Sequence, residues 1–309
     1  MGKRWFRVGQ WVVGLVIVAF ACRSLLRNWD QLRAQPLEWR PAPGWLLLAA
    51  GLVWVMYALL IAAWRAMLLA WGQRLDPWTA ARIWTVSSLG KYLPGKVWAV
   101  AGMAVMAQQA GVAPGAAMGS AVILQALAVG AGAAVAGVCG VGALRQAHPE
   151  IVIVLVLLVG ASAAGIALLF WPPVVRRLLR LAAPEAATAE TGPAGPAIAF
   201  GVMANLAAWI GYGAAFWCLA RGLLPETRLT LSQAVAVFTA SYLAGFLALF
   251  APGGLGVRES VFILMLQGPV GPAAAAALAL ASRVLLTITE FGAAAPFLAF
   301  PRGRPRVAH

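Results

Sequence analysis

Charged residues, histidine and cysteine are all scarce in this chain. Only 10% of its 309 residues are charged, whereas 62% are hydrophobic and the mean hydropathy is +0.86. This composition excludes an ordinary water-soluble domain, because a soluble surface carries charge on every side. The two histidines and three isolated cysteines lack the spacing of a metal site, a disulfide framework or a Ser/His/Asp set. The sequence therefore predicts no cofactor, no metal and no catalytic residues.

Acidic residues are scarcer than basic ones. Nine Asp and Glu stand against 23 Lys and Arg, which gives a formal net charge of +14. In a soluble protein this charge would indicate nucleic-acid binding. Here the arginines gather between apolar segments and near the two ends, where contact with anionic lipid explains them better. We therefore expect membrane lipids, and no nucleic acid, as partners.

Long apolar stretches dominate what is present. Several of them contain no charged residue and are long enough to cross about 30 Å of hydrocarbon as a helix. The first follows Lys3, Arg4 and Arg7, and we interpret it as an uncleaved helix, with residues 1–22 retained, because the apolar run continues through Leu26. The sequence thus predicts an all-α polytopic membrane protein. The eight apolar segments are 8–26, 45–64, 83–110, 116–143, 151–171, 197–220, 233–268 and 273–299.

Two of the eight segments contain a proline-glycine break. Pro94-Gly95 interrupts segment 83–110, and Pro252-Gly253 interrupts segment 233–268. Proline and clustered glycines do not continue a helix, and the pieces beside the breaks are too short to span a bilayer. We predict that both segments are re-entrant hairpins and that the other six span the membrane.

The chain is predicted to form one membrane domain, 1–309, with two similar halves. A polar Pro/Gly/Ala-rich cytoplasmic linker, 172–196, separates a first half, 1–171, from a second half, 197–309, and each half contains one hairpin. Six spanning helices put both termini on one side, and the bias of Lys and Arg favours the cytoplasm. The hairpins then enter from opposite faces, as in inverted-repeat transporters.

Ionisable residues inside these segments are the predicted binding residues, because each costs roughly 2.5 to 3.5 kcal/mol on insertion scales near the bilayer centre. A half-helix N-terminus beside lysines or an arginine suits a phosphate or carboxylate. The alternative is that the glycines only permit close packing and that Arg258 only pairs with Glu259. The predicted substrate-binding residues are Lys91, Tyr92, Pro94, Gly95, Lys96, Pro252, Gly253, Gly254, Gly256, Arg258, Glu259, Arg283 and Glu290.

Two charges in the last segment share one helical face. Arg283, Thr287 and Glu290 follow one another at helical spacing, so their face is expected to meet protein or a wet cavity. Both a structural charge pair, including a neighbour for Glu259, and a role in transport fit this pattern.

A nucleotide-binding loop is suggested by residues 90–97, which fit G-x-x-x-x-G-K. Val97 stands where such a loop requires Ser or Thr for magnesium, and no β-strand precedes the motif. We therefore expect no nucleotide partner.

Together, 90–98 and 252–259 resemble the transmembrane region of lysylphosphatidylglycerol synthases and flippases, and Arg283 also fits that family's pattern. The resemblance covers nearly the whole chain. It implies an inner-membrane protein of the bacterial type that moves a lipid between leaflets. Stand-alone relatives are associated with hopanoid and polyprenyl-linked lipids. Since no soluble aminoacyl-transfer domain follows within 309 residues, synthase activity is not expected.

The sequence leads to one main hypothesis and two alternatives. A polar cavity between the hairpins would hold an anionic or modified headgroup, such as that of a phospholipid, an aminoacyl-phosphatidylglycerol-like lipid, a hopanoid or a polyprenyl phosphate. The chain would then be a flippase, with a homo-oligomer or a lipid-modifying enzyme as further partner. The alternatives are a membrane enzyme acting on a lipid-linked substrate, with acid-base work by Glu259 or Glu290, and a non-transporting scaffold.

Overall fold

The computed structural model describes residues 41–92, 98–144, 149–182, 195–248 and 254–299. These ranges contain ten α-helices, a short 3-10 helix and no β-strand, which confirms the all-α polytopic class. The predicted first helix, 8–26, lies outside them. The helices are α1 Pro43–Ala70, α2 Pro77–Ser88, the 3-10 helix Leu89–Tyr92, α3 Trp98–Gln109, α4 Pro114–Leu144, α5 Pro149–Leu168, α6 Pro172–Ala182, α7 Gly195–Leu223, α8 Leu231–Leu247, α9 Val257–Val270 and α10 Pro272–Ala299.

Long apolar helices form the membrane-spanning frame. Within the described ranges, α1, α4, α7 and α10 are each long and apolar enough to cross a bilayer. Helix α5 joins them if it is taken together with α6, from which it is bent by 94°. Side chains of α5 such as Ile153 and Leu157 are about two-thirds exposed, as expected of a helix that faces lipid. These five positions agree with predicted spans.

The first part of the predicted linker 172–196 is helical, forming α6. Val175 and Leu179 of α6 are buried in the core, whereas the arginines point away from it. Proline at 172 and 173 does not prevent this helix, because the first turn needs no N–H donor there. Residues 183–194 lie outside the described ranges. The exposed arginines of α6 are Arg176, Arg177 and Arg180.

The first broken segment folds back on itself. Helix α2 begins at Pro77, earlier than predicted, and Asp76 caps it by accepting the Thr79 N–H at 3.0 Å. Its arm α3 returns beside it, since a Cβ added to Gly90 would lie 2.9 Å from the Ala99 nitrogen. Each arm has 12 residues, about 18 Å of helix, against about 30 Å of hydrocarbon. We name 77–109 the first hairpin.

The second broken segment also folds back. Its first arm, α8, starts at Thr230 with a capping box formed with Gln233, and α9 begins after Gly256, whose φ is +81°. The arms approach so closely that a Cβ on Gly254 would lie 2.8 Å from the Gly245 Cα. At 17 and 14 residues, both arms fall short of the roughly 30 Å of hydrocarbon. We name 231–270 the second hairpin.

Helix α10 packs against both hairpins, touching α2 of the first and α9 of the second. The first hairpin packs into one apolar core around Trp64 and Met67, and the second into another around Phe216 and Phe262. The long helix pair α1 and α7 contributes to both cores. This arrangement brings the tips of the hairpins to the same face of α10.

Candidate functional site

A cavity of about 310 Å³ lies between the two hairpins. Its walls come from both hairpins and from α1, α4, α7 and α10. The walls are largely apolar, but ionisable side chains converge on the cavity from the hairpins and from α10. They include Lys91, Arg258, Arg283 and Glu290, all of which were predicted from sequence. The structure therefore brings distant parts of the predicted site together.

Glu290 of α10 is the most completely bonded charge in the cavity. Its Oε1 forms an ion pair with the Lys91 ammonium at the tip of the first hairpin. The Tyr92 hydroxyl donates to Oε2 at 2.8 Å, and the Tyr57 hydroxyl of α1 donates to Oε1 at 3.3 Å. The Tyr92 oxygen also lies 3.2 Å from Thr287 Oγ1. Because one buried carboxylate receives three donors, this contact ties the first hairpin to α10.

Glu259 joins the second hairpin to the same helix. Its Oε1 pairs with Nη1 of Arg283, and its Oε2 accepts the Gly256 N–H at 2.8 Å. The carboxylate thus neutralises a cation of α10 and also caps the start of α9. The sequence left several alternatives open for Arg283. In the structure Arg283 is a neighbour of Glu259.

Arg258 is the buried cation left without an acidic partner. The residue is 7% exposed, and no salt bridge among the described residues involves it. Its Nη2 donates to Ser282 Oγ at 3.0 Å, and its guanidinium lies 5.4 Å and 5.2 Å from the ring centroids of Phe238 and Tyr242. The alternative that Arg258 pairs with Glu259 is therefore not what the structure has.

Among the described residues, the cluster consequently has one more cation than carboxylates. These residues are three cations and two carboxylates, and each carboxylate pairs with a cation other than Arg258. A guanidinium has five N–H donors, and one of them is used here. The ring faces stabilise the charge but do not neutralise it. The cavity can therefore accept one monoanionic group beside Arg258.

The predicted glycines divide into two groups. Gly254 and Gly256 have φ values of +69° and +81°, a conformation that glycine adopts at no steric cost. In the structure Gly254 permits the close approach of α8, and the Gly256 N–H is taken by Glu259. Their observed role is to shape the tip. The predicted residues outside the described ranges are Pro94, Gly95, Lys96, Pro252 and Gly253.

Several polar residues of the cavity were missed by the sequence reasoning. Tyr57, Gln125, Tyr212 and Tyr242 all line it. Each is a polar side chain inside an apolar segment, and such residues tend to face the protein interior. Tyrosine and glutamine inside apolar segments therefore indicate an interior-facing position, as the ionisable residues do.

Metal ligation finds no support in the part of the chain that the structure describes. No group of three or more His, Cys, Asp or Glu side chains there could hold an ion. Cys139 and Cys218 are free thiols in apolar surroundings.

Comparison with known protein families identifies a match over most of the chain. The family model described as "Lysylphosphatidylglycerol synthase TM region" matches residues 8–292. Comparison with curated proteins gives no match. The matched residues include both hairpins and most of α10, and so every charged residue of the cavity.

Proposed function

We propose that this chain, which belongs to the lysylphosphatidylglycerol synthase TM-region family, moves an anionic lipid between the two leaflets of its membrane. The family and the apolar helices make it a multi-pass membrane protein and are consistent with a lipid-related role. The observation that carries the more specific proposal is Arg258, a buried cation that forms no salt bridge with any described residue and lines a cavity between two hairpins.

The chemistry of Arg258 favours a phosphate-bearing headgroup among the lipids considered. A buried charge without a counterion is costly, so a ligand that neutralises it gains much of that cost on binding. A phosphodiester carries one negative charge and offers two oxygens that suit the fork of a guanidinium. A neutral hopanoid would leave the charge uncompensated, whereas phospholipids and polyprenyl phosphates would neutralise it.

The two ion pairs on α10 provide two contacts that can open in turn. Each hairpin is tied to α10 by one pair, Lys91 with Glu290 and Glu259 with Arg283. We propose that release of one tie at a time opens the cavity toward one leaflet while the other tie keeps the opposite side closed. The headgroup crosses through the cavity, and its acyl chains remain in the bilayer.

The proposal includes an orientation in a bacterial-type cytoplasmic membrane, with both termini in the cytoplasm. The exposed arginines of α6 support it, because basic residues next to membrane helices are enriched on the cytoplasmic side. The proposal also excludes chemistry on the lipid, so that the chain acts as a transporter and not as an enzyme or a scaffold.

Reconstitution into liposomes tests the proposal. Purified protein is placed in vesicles that contain phosphatidylglycerol with a fluorophore on one acyl chain, and loss of inner-leaflet label to an external quencher is followed. We expect translocation that falls about tenfold or more in Arg258→Gln, because a hydrogen bond to a charged group contributes roughly 1.5 to 3 kcal/mol. The matched control is Arg176→Gln, which removes an exposed arginine of α6.

Three outcomes would overturn the proposal. The first is no translocation above empty vesicles for phosphatidylglycerol or for a polyprenyl phosphate. The second is an equal rate for Arg258→Gln and Arg176→Gln. The third is a chemically altered lipid, detected by mass spectrometry, which would favour a membrane enzyme.

A further inference from the structure

We propose that the cavity contains a second recognition site, formed by Gln125, Tyr212 and Tyr242, for a neutral hydroxyl-bearing part of the transported headgroup, such as a glycerol or sugar unit. The inference rests on the proposed function, because it concerns the same lipid. It adds the chemical class of the group that lies beyond the phosphate, and it assigns that group to residues on α4, α7 and α8.

The first argument is that these three side chains have no hydrogen-bond partner in the described part of the chain. Tyr57 and Tyr92 donate their hydroxyls to Glu290. The hydroxyls of Tyr212 and Tyr242 and the amide of Gln125, by contrast, make no hydrogen bond there, although all three residues line the cavity. None of these atoms is fully enclosed by protein either. Each of these polar groups therefore keeps some exposed surface in a residue that lines the cavity.

The second argument is that unused polar groups are expensive inside a membrane protein. An unsatisfied polar group in an apolar setting costs free energy comparable to a lost hydrogen bond or more. Three such groups in one largely apolar wall indicate that something else completes their hydrogen bonding. Water or a polar ligand can do so, and the experiment below separates the two.

The third argument is that Tyr242 lies against Arg258, and that Trp209 connects Tyr242 to Tyr212 and to the helix that carries Gln125. The Arg258 guanidinium lies 5.2 Å from the centroid of the Tyr242 ring. That ring packs edge-on against the Trp209 ring, with 5.5 Å between the two centroids. Trp209 contacts Tyr212 at 6.5 Å and donates its indole N–H to the Ala128 carbonyl at 2.8 Å. Ala128 lies one helical turn after Gln125 on α4. A headgroup whose phosphate binds Arg258 would thus extend toward these residues.

The chemistry of the three groups selects against a second charge. Phenol hydroxyls and a carboxamide are uncharged and can both donate and accept hydrogen bonds, as an alcohol does. Both carboxylates of the cluster are already paired with cations, so an ammonium group would find no free anion. The rings beside them offer apolar faces against the carbon skeleton of a polyol. A neutral polyol therefore fits better than an amine.

Two lipids that match in charge and headgroup carbons but differ in hydroxyl groups test the inference. Short-chain phosphatidylglycerol and phosphatidylpropanol carry the same single negative charge and the same three headgroup carbons, but only the former has hydroxyls beyond the phosphate. Their binding to the full chain in detergent is measured by calorimetry. We expect phosphatidylglycerol to bind about tenfold more tightly, because its hydroxyls form hydrogen bonds that the other lipid cannot form.

Variants then assign the preference to the three residues. In Gln125→Leu and in the double variant Tyr212→Phe/Tyr242→Phe, the ratio of the two dissociation constants should fall toward one. The matched control is Gln267→Leu on the exposed side of α9, which should keep the ratio of the unchanged protein. A variant that merely folds poorly would weaken both lipids together and leave the ratio in place.

The failures of this inference and of the proposed function are distinguishable. If the unchanged protein binds both lipids equally, the hydroxyl site is wrong and water fills that part of the cavity, while the proposed function stands. Tighter binding of phosphatidylethanolamine than of phosphatidylglycerol would also overturn the inference. If neither anionic lipid binds, the proposed function fails and the inference fails with it.

Discussion

The two hairpins share an architecture but carry their charges in opposite order. In the first, a lysine of the hairpin meets a glutamate of α10, whereas in the second a glutamate of the hairpin meets an arginine of α10. The first hairpin thereby uses its cation, Lys91, to hold the fold. The second uses an anion for the same purpose, which leaves its cation, Arg258, available. Among the described residues of the two tips, the reversal explains why Arg258 forms no salt bridge while Lys91 does.

The partners on α10 are spaced for this double contact. Arg283 and Glu290 lie seven residues apart, two helical turns on one face. That separation is too long for a direct pair and brings each residue to a different hairpin. Helix α10 thus contacts both tips, each through one ion pair. The contributions of the two ion pairs to stability can therefore be compared by mutation.

The largest expected effect is in the first hairpin. Lys91→Met leaves the Glu290 carboxylate, which is 8% exposed, with tyrosine hydroxyls as its partners among the described residues. Because the Lys91 side chain is itself 29% exposed, we expect a loss toward the lower end of the roughly 3 to 5 kcal/mol that removal of one member of a fully buried pair costs. We expect a markedly lower melting temperature in detergent, followed by tryptophan fluorescence. The double variant Lys91→Met/Glu290→Gln should recover most of the loss. A double variant no more stable than the single one would show that the pair does not hold this hairpin.

Close packing of the arms gives the next effect. Gly90→Ala places a Cβ against the Ala99 backbone, which should cost roughly 1 to 3 kcal/mol. Gly254→Ala should cost more, because it adds a strained φ of +69° to a similar clash.

Gly102→Ala is the control for both glycine variants, since its Cβ would meet Ser87 at an ordinary 3.6 Å. Melting temperatures of the three variants give the comparison. If Gly102→Ala were as destabilising as the other two, the close approach of the arms would not be the cause.

The smallest effect is expected at the second ion pair. Glu259→Gln removes the charge beside Arg283 but retains an oxygen that can accept the Gly256 N–H, so we expect a loss of roughly 1.5 kcal/mol. Both members of this pair are about one-fifth exposed, whereas in the first pair the carboxylate of Glu290 is 8% exposed and only its partner Lys91, at 29%, reaches solvent more freely. Chemical denaturation of this variant beside Lys91→Met measures the difference. A larger loss for Glu259→Gln would reverse the ranking of the two hairpins.

The fold was largely predictable because apolar length and proline-glycine breaks are local signals. Segment 273–299 corresponds closely to α10, Pro272–Ala299. Helix α6 was missed because its arginines and prolines dominate the composition of 172–196, while its apolar residues recur only at helical spacing. Counting residue types conceals a periodicity of that kind.

The site was predictable in its members but not in its pairs. Arg258 and Glu259 are adjacent in sequence, yet successive helical side chains point in different directions, so each meets a different partner on α10. The partners are 24 residues away, and tertiary packing alone decides them. The polar residues of the hydroxyl site come from three further helices and share no sequence motif.

A crystal structure with a bound lipid tests the central claim most directly. The protein would be crystallised from a lipidic mesophase with phosphatidylglycerol in which one phosphate oxygen is replaced by sulfur, so that anomalous scattering marks the phosphate. The account predicts a sulfur peak inside the cavity, in contact with the Arg258 guanidinium, and its loss in Arg258→Gln. A peak found only on the outer surface of the helices, with water in the cavity, would contradict it.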